Sequence, residues 1–282
     1  MSPLLDRQAK RVATHYENNV IDYEKIRLEQ DSPIEFEITK RAMTKWIQNG
    51  SIVLDVGVGV GHYATLLAQR GCKLHLVDIC ESFLKLSQEH LARYHLSEQV
   101  MSSTQSSATD LCFIPDNSVD CVLMLGPFYH LVDIQKREQA VAEAARTLKT
   151  GGLLFAAGIN RLAILHELFS SDRFCDNPEI NIKRISKELD NYCQTGISDE
   201  TIFKPSGDSY CATIDEFSAL FSSLFTQIDF LGVESFSAFK QKKIFEKNSA
   251  DVDVWLSILE KTARTVEGQA SSEHFLYVGK KR

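Results

Sequence analysis

The sequence predicts an α/β protein built on a doubly wound, mostly parallel sheet. Two observations predict it. Between residues 51 and 160, short apolar runs of strand length alternate with longer stretches whose apolar residues recur at helical spacing. Directly after the first run, "VLDVGVGVGHYA" sets Gly57, Gly59 and Gly61 at every second position before a helix opens at His62. Glycine at such a place lets the backbone turn sharply or lets a ligand touch it. In open parallel sheets that is where ligands lie, beyond the carboxyl ends of the strands.

The elements follow in order. Residues 3–30 are polar with scattered aromatics and read as one or two helical pieces. In "SPIEFEITKRAMTKWIQNG", Ser32 is placed to cap a helix, Pro33 suits its first position and Glu35 stands three residues after the cap. Ile34, Ile38 and Ala42 form its apolar stripe, and Gly50 stops it. Strands are predicted at 51–57, 73–79, 119–126 and 152–159, with a further one inside "VMSSTQSSATDL". Helices are predicted from "HYATLLAQRG", "ESFLKLSQEHLARYHL" and "DIQKREQAVAEAARTLKTGG". Residues 161–211 break the rhythm and are too long for a simple connection, so they read as a helical insertion. Thr213 and Glu216 then form a capping box, and two late strands suit an antiparallel addition at one edge of the sheet.

Composition narrows the function. The net charge is −7 and no stretch gathers Lys and Arg into a patch, which argues against nucleic acid as partner. The seven cysteines form no CxxC pair and no metal spacing, so no metal is expected. No run of 18 apolar residues and no signal-peptide core is present, which points to a reduced cytoplasmic protein with no membrane partner.

Two ligand classes compete for the glycine loop. "GVGHYA" fits the dinucleotide fingerprint G-x-G-x-x-G/A, which keeps a dinucleotide-dependent oxidoreductase open. Read from Gly57, however, that fingerprint needs a third glycine where His62 stands. Asp55, two residues ahead of the first glycine, would repel a pyrophosphate and favour an ammonium group. Asp78, 17 residues beyond Gly61, can accept both hydroxyls of a ribose in either class.

The full run Asp55-Val-Gly57-Val-Gly59-Val-Gly61 resembles the first motif of the class I S-adenosylmethionine-dependent methyltransferases. "LGPFYHLVD", Leu125 to Asp133, resembles a subgroup of small-molecule enzymes carrying L-G-P-L/F-Y-H-L after the fourth strand, and the early "DYEKIRLEQDSPIEFEITKRAM" and late "GVESFSAF" are similar too. The resemblance implies a seven-stranded sheet and S-adenosylmethionine as cofactor. It places the donor's methionine end over the glycine loop, the ribose at Asp78 with Ile79 beside it, and the adenine at Asp110 and Leu111. Leu125 is a further implied donor contact. It implies one domain over 1–282, with residues 1–50 as a helical lid carrying Tyr16, Tyr23 and Arg27. Arg27 would meet the methionine carboxylate. Residues 51–160 form the nucleoside-binding half, 161–211 an acceptor cap with Phe169, Phe174, Tyr192 and Tyr210 as candidate lining, and 212–282 the C-terminal half.

The sulfonium methyl is already activated, so alignment is the main task and no obligatory nucleophile exists to look for. His130 is the candidate general base, because its ordinary pKa lies near neutrality. Tyr129 is a second candidate, as wall or acid. Where amino-methyltransferases of nucleic acids and proteins carry N/D-P-P-Y, Gly126 replaces the acceptor side chain, which again favours a small-molecule acceptor. A catalytically silent nucleoside-binding protein remains the third alternative. The oligomeric state is not legible.

Overall fold

The computed structural model describes residues 5–170, 186–198 and 209–282. Five parallel strands form its centre: β1 (Ile52–Val56), β2 (Lys73–Asp78), β3 (Val100–Gln105), β4 (Val119–Met124) and β5 (Leu148–Asn160). Two antiparallel partners follow beside β5. The late strand β9 (His274–Lys281) pairs with β5, and β8 (Phe225–Gly232) pairs with β9. Read across, the path β3-β2-β1-β4-β5-β9-β8 is the seven-stranded sheet expected. The described sheet has nine strands, because β6 (Ile197–Ser198) and β7 (Ser209–Ala212) add a small hairpin on the far end of β5. The insertion 161–211 was expected to be helical with a loop-like end, and the described residues of that end form this hairpin instead.

Strand parity explains how the sheet is covered. Val53, Leu74, Leu76, Cys121, Leu123 and Phe155 face one layer, with α3 (Pro33–Trp46), α4 (His62–Gln69), α5 (Glu81–Arg93) and α11 (Ser249–Thr262). Leu54, Val56, Val77, Val122, Met124 and Leu154 face the other, with α6 (Ile134–Thr147) and α9 (Ile214–Phe221). Neighbouring residues point to opposite faces, so strands buried on both faces read as continuous apolar runs. The predicted stripe of α3 is fully used: Ile34, Ile38 and Ala42 are all buried.

Its cap is not as expected. Ser32 makes no side-chain capping bond. Gln241, from α10 (Gln241–Phe245), accepts from the amides of Ile34 and Glu35 at 3.1 and 3.3 Å. The Glu35 carboxylate is thereby free for another partner. The box at α9 forms as predicted, with Thr213 Oγ1 accepting from Glu216 N and Glu216 Oε2 from Thr213 N.

The N-terminal segment holds α1 (Arg7–His15) and α2 (Ile21–Ile26), joined and followed by the wider turns Tyr16–Val20 and Arg27–Asp31. The remaining described helices are α7 (Ala163–Ser170), α8 (Ser186–Thr195) and α12 (Val266–Ser271). No helix among the described residues is long and apolar enough to cross a membrane.

Candidate active site

A cavity of about 330 Å³ opens over the carboxyl ends of β1, β2 and β4, under the N-terminal segment. The glycine loop forms its floor, and the three glycines do different work. Gly57 (φ +81°) lies against Pro127, where an added Cβ would come within 3.2 Å of the ring. Gly61 (φ +89°) starts α4, and a Cβ there would sit 3.0 Å from Ser87 on α5. Both are glycine because of the chain's own packing. A Cβ on Gly59 would meet nothing within 4 Å, so this residue presents bare backbone to open space. Its amide donates to Asp78 Oδ2 at 3.0 Å, and the Cys80 amide to Oδ1 at 2.9 Å.

Asp55 and Asp78 end adjacent strands, both buried. Burial, reinforced by the charge of Asp78, pushes Asp55 up to about 7. Burial also raises Asp78, to about 6, although the amides of Cys80 and Gly59 pull the other way. Asp78 lines the cavity and Asp55 stands behind the wall. Ile79 and Leu125 line it as well. At the end where an adenine was expected, Ser106, Ser107 and Ala108 form the wall. Asp110 and Leu111 do not reach it: Leu111 is in the core, and Asp110 is turned toward the Cys112 amide. The turn after β3 begins at Ser106, whose amide donates to Asp78 O, and so brings Ser106 to Ala108 to the wall before the aspartate.

The second half of the cavity is built from residues distant in sequence. His130 is held from the lid, with the Tyr16 hydroxyl 2.8 Å from its Nε2 and Gln8 Nε2 donating to its carbonyl at 2.8 Å. Its Nδ1 is buried and has no partner among the described residues. Burial, with some help from His15, lowers its pKa to about 4, so the ring is neutral. Burial drives Tyr16 and Tyr129 well above the ordinary phenol range. The Tyr129 hydroxyl donates to the Leu125 carbonyl at 3.4 Å, and its ring packs edge-on against His130 with centroids 4.7 Å apart. Tyr16, expected merely as part of the lid, is the closest partner of the candidate base.

Arg27 also faces the cavity, but its guanidinium is spent. It forks onto Glu35 at 2.6 and 3.3 Å and reaches Glu24 at 3.2 Å. Tyr23 is half exposed and away from the wall. Of the expected cap aromatics, Phe169 is exposed, Tyr192 is in a satellite core with its hydroxyl on Arg161 O, and the Tyr210 ring lies under Arg137. Phe174 lies outside the described residues. None of the three described aromatics lines the cavity.

One group was not foreseen. Glu234, after β8, and His274, the first residue of β9, meet with His274 Nδ1 2.6 Å from Glu234 Oε1. With Glu35 they bring three ligand-type atoms within 4.8 Å of one another. These atoms are engaged by Arg27 and by each other, and we read the group as an ion-pair network. Positions 35, 234 and 274 carry no spacing signal, which is why the sequence hid them.

Comparison with known proteins bears on this geometry. Residues 54–156, from β1 to β5, match the model of a family described as a methyltransferase domain. A ribosomal RNA small subunit methyltransferase C from Alcanivorax borkumensis is 34% identical over 107 residues, 36% of this chain and 30% of its own length. A ubiquinone biosynthesis O-methyltransferase from Thiobacillus denitrificans is 32% identical over 114 residues, 40% of this chain and 47% of its own. The chain thus spans less than half the length of these curated relatives. In structure, an S-adenosylmethionine-dependent methyltransferase from Methanosarcina mazei superposes with a TM-score of 0.55 at 16% identity, covering 85% of this chain and 96% of that one. Residues 54–156, with the glycine loop near their start, thus match a methyltransferase domain, and the sheet around them is the fold seen in that S-adenosylmethionine-dependent methyltransferase.

Proposed function

We propose that the protein transfers a methyl group from S-adenosylmethionine to a small-molecule acceptor bound in the Tyr16–His130 half of the cavity. The observation that carries this is Asp78, a buried carboxylate on the cavity wall bonded to the bare peptide at Gly59, with buried Asp55 behind it and no salt bridge to either among the described residues. Buried carboxylates with no cationic partner, even where amides support one of them as at Asp78, favour a cation and disfavour a phosphate. A sulfonium donor fits them, and a dinucleotide's pyrophosphate does not. Gly57, Gly59 and Gly61 would carry the donor's methionine end, Asp78 its ribose, and Ser106 to Ala108 its adenine. When bound, the donor supplies an electrophilic methyl that needs no further activation.

The protein's own residues then do three things. The lid residues Ala9, Val12, Tyr16 and Leu28 close over the cavity and exclude water. The narrow space between lid and loop orients the acceptor for in-line attack, worth roughly 7–11 kcal/mol of barrier when alignment is good. His130, neutral and with Nδ1 unpartnered, receives the proton that the acceptor loses in the tautomer whose Nε2–H donates to the Tyr16 hydroxyl and leaves Nδ1 an acceptor. Arg27 fastens the lid through Glu24 and Glu35, in place of the direct donor contact expected for it.

A small acceptor is favoured over RNA by the roofed cavity, which is of small-molecule size, and by the net charge of −7. The test is incubation of a metabolite extract and, separately, ribosomal RNA with methyl-labelled donor. Label in a small metabolite supports the reading, and label in RNA alone refutes it. Calorimetry with S-adenosylhomocysteine tests the donor half: binding lost in Gly59→Arg is expected, and binding indifferent to that change contradicts it.

A further inference from the structure

The Glu234–His274 pair lies at the end of the cavity that the methyl-transfer account leaves without a role. Glu234 is completely buried and fixed on three sides. Its Oε2 accepts from Ser272 Oγ at 2.6 Å and from His274 N at 2.9 Å, and its Oε1 meets His274 Nδ1. The carboxylate can only accept, so Nδ1 carries a proton and the ring is locked in orientation. His274 lines the cavity, and its Nε2 makes no hydrogen bond with any described residue. Register puts it opposite Ile159, at the end of β5 where ligands of this sheet gather. Apolar Val233, Ala157, Ile159 and Phe275 surround it in the wall.

The Arg27–Glu35 pair lines the cavity on the ring's other side, and a polar atom held between it and an apolar wall is the arrangement that fixes the orientation of a small ligand. Burial alone would lower the pKa of His274, but Glu234 and Glu35 outweigh it and lift the ring to about 9. Two carboxylates face the ring, Glu234 at 2.6 Å and Glu35 at 4.0 Å from Nδ1, and this pairing favours the protonated form, in which Nε2 is a charged donor. His130 is the opposite case, neutral with a free nitrogen. Two histidines pushed apart in this way divide the roles of donor and proton acceptor between them.

We propose that His274, oriented by Glu234, recognises the acceptor by donating from Nε2 to an anionic oxygen, a carboxylate or an ionised hydroxyl. It is a specificity-determining residue, and the acceptor is accordingly an organic acid or an acidic phenol or enol. This rests on the methyl-transfer reading only in that the cavity is the acceptor's.

The test uses the full chain with ¹⁵N-labelled histidine, saturated with S-adenosylhomocysteine, and titrated separately with benzoate and with benzylamine. His274 resonances are assigned by their loss in His274→Gln. Benzoate is expected to shift the His274 Nε2 signal at millimolar concentration, and benzylamine to leave it in place. In Glu234→Gln, which keeps the ring but loosens its hold, benzoate should bind about tenfold more weakly. A signal indifferent to benzoate, or one that answers to benzylamine instead, overturns the proposal. The wild-type titration decides this whether or not Glu234→Gln folds, and if His274→Gln does not fold the resonance is assigned instead by its through-space contacts to Phe275 and Ile159. Calorimetry of S-adenosylhomocysteine on the same sample reports separately on the donor site, so a failure there is not mistaken for a failure here.

Discussion

The Tyr16 hydroxyl lies 2.8 Å from His130 Nε2, joining residues 114 apart in sequence. This one contact ties the N-terminal lid to the turn after β4, and it decides which nitrogen of His130 is left for an acceptor. Gln8 and Lys136 strengthen the same seam: Gln8 reaches the His130 carbonyl, and Lys136 reaches Asp6 at 2.7 Å and Gln8 at 3.1 Å.

Tyr16→Phe should therefore loosen the lid and orphan a buried ring nitrogen. The expected cost is about 1–3 kcal/mol, seen as a fall in Tm, with faster proteolysis within residues 5–31. Methyl transfer should drop by about tenfold or more, because the ring of His130 loses its fixed orientation. Unchanged proteolysis would show that the lid is held by other contacts.

Gly59 and Gly61 should separate function from folding. Gly61→Ala places a Cβ 3.0 Å from Ser87 at φ +89°, and should destabilise the chain by roughly 1–3 kcal/mol. Gly59→Ala shares the positive-φ strain (φ +55°) but meets no neighbour within 4 Å, so it should cost less in stability while weakening S-adenosylhomocysteine measurably. Thermal melts and calorimetry on the two variants check this. Equal loss of stability would mean that Gly59 too is structural.

Donor affinity should depend on pH through Asp78. Its carboxylate is raised to about 6 by burial, and it accepts ribose hydroxyls best when ionised. Affinity for S-adenosylhomocysteine should rise as pH climbs from about 5 to 7. Asp78→Asn should flatten this profile and lower affinity at pH 7.5 by about tenfold or more. Asp55, lifted to about 7 by burial and by Asp78, is expected to broaden the transition.

Stability should carry the mark of His274. Its folded pKa of about 9 exceeds the ordinary value of 6.5, because Glu234 and Glu35, with Glu273 beside them, outweigh its burial. The folded state thus holds a proton that the unfolded state releases above pH 6.5. The stabilisation is complete below pH 6.5 and is lost as pH rises toward 9. Urea midpoints of wild type and His274→Gln should therefore converge across that window, the difference being largest near pH 6.

How much of this was legible follows chain distance. Asp55, Gly57, Gly59, Gly61 and Asp78 lie on two consecutive strand–turn units, where local spacing and sheet register suffice to bring them together. The box Thr213–Glu216 is likewise a three-residue affair. Contacts that only tertiary packing makes were out of reach. Gln241 replaced Ser32 as the cap of α3, and that released Glu35 to Arg27. The Glu234–His274 pair forms because β8 and β9 are antiparallel neighbours and bring their ends together, which no spacing announces. Near Asp110 and Leu111 the segment was legible but its exact wall was not, because the turn after β3 puts Ser106 to Ala108, a few residues earlier, on the cavity.

The most direct measurement is a crystal structure of the protein with S-adenosylhomocysteine. The ribose hydroxyls should lie on the Asp78 carboxylate, the homocysteine chain over Gly59, and the sulfur facing the Tyr16–His130 side. An adenosyl group seated elsewhere, with the Gly59 amide and Asp78 untouched, would contradict the account.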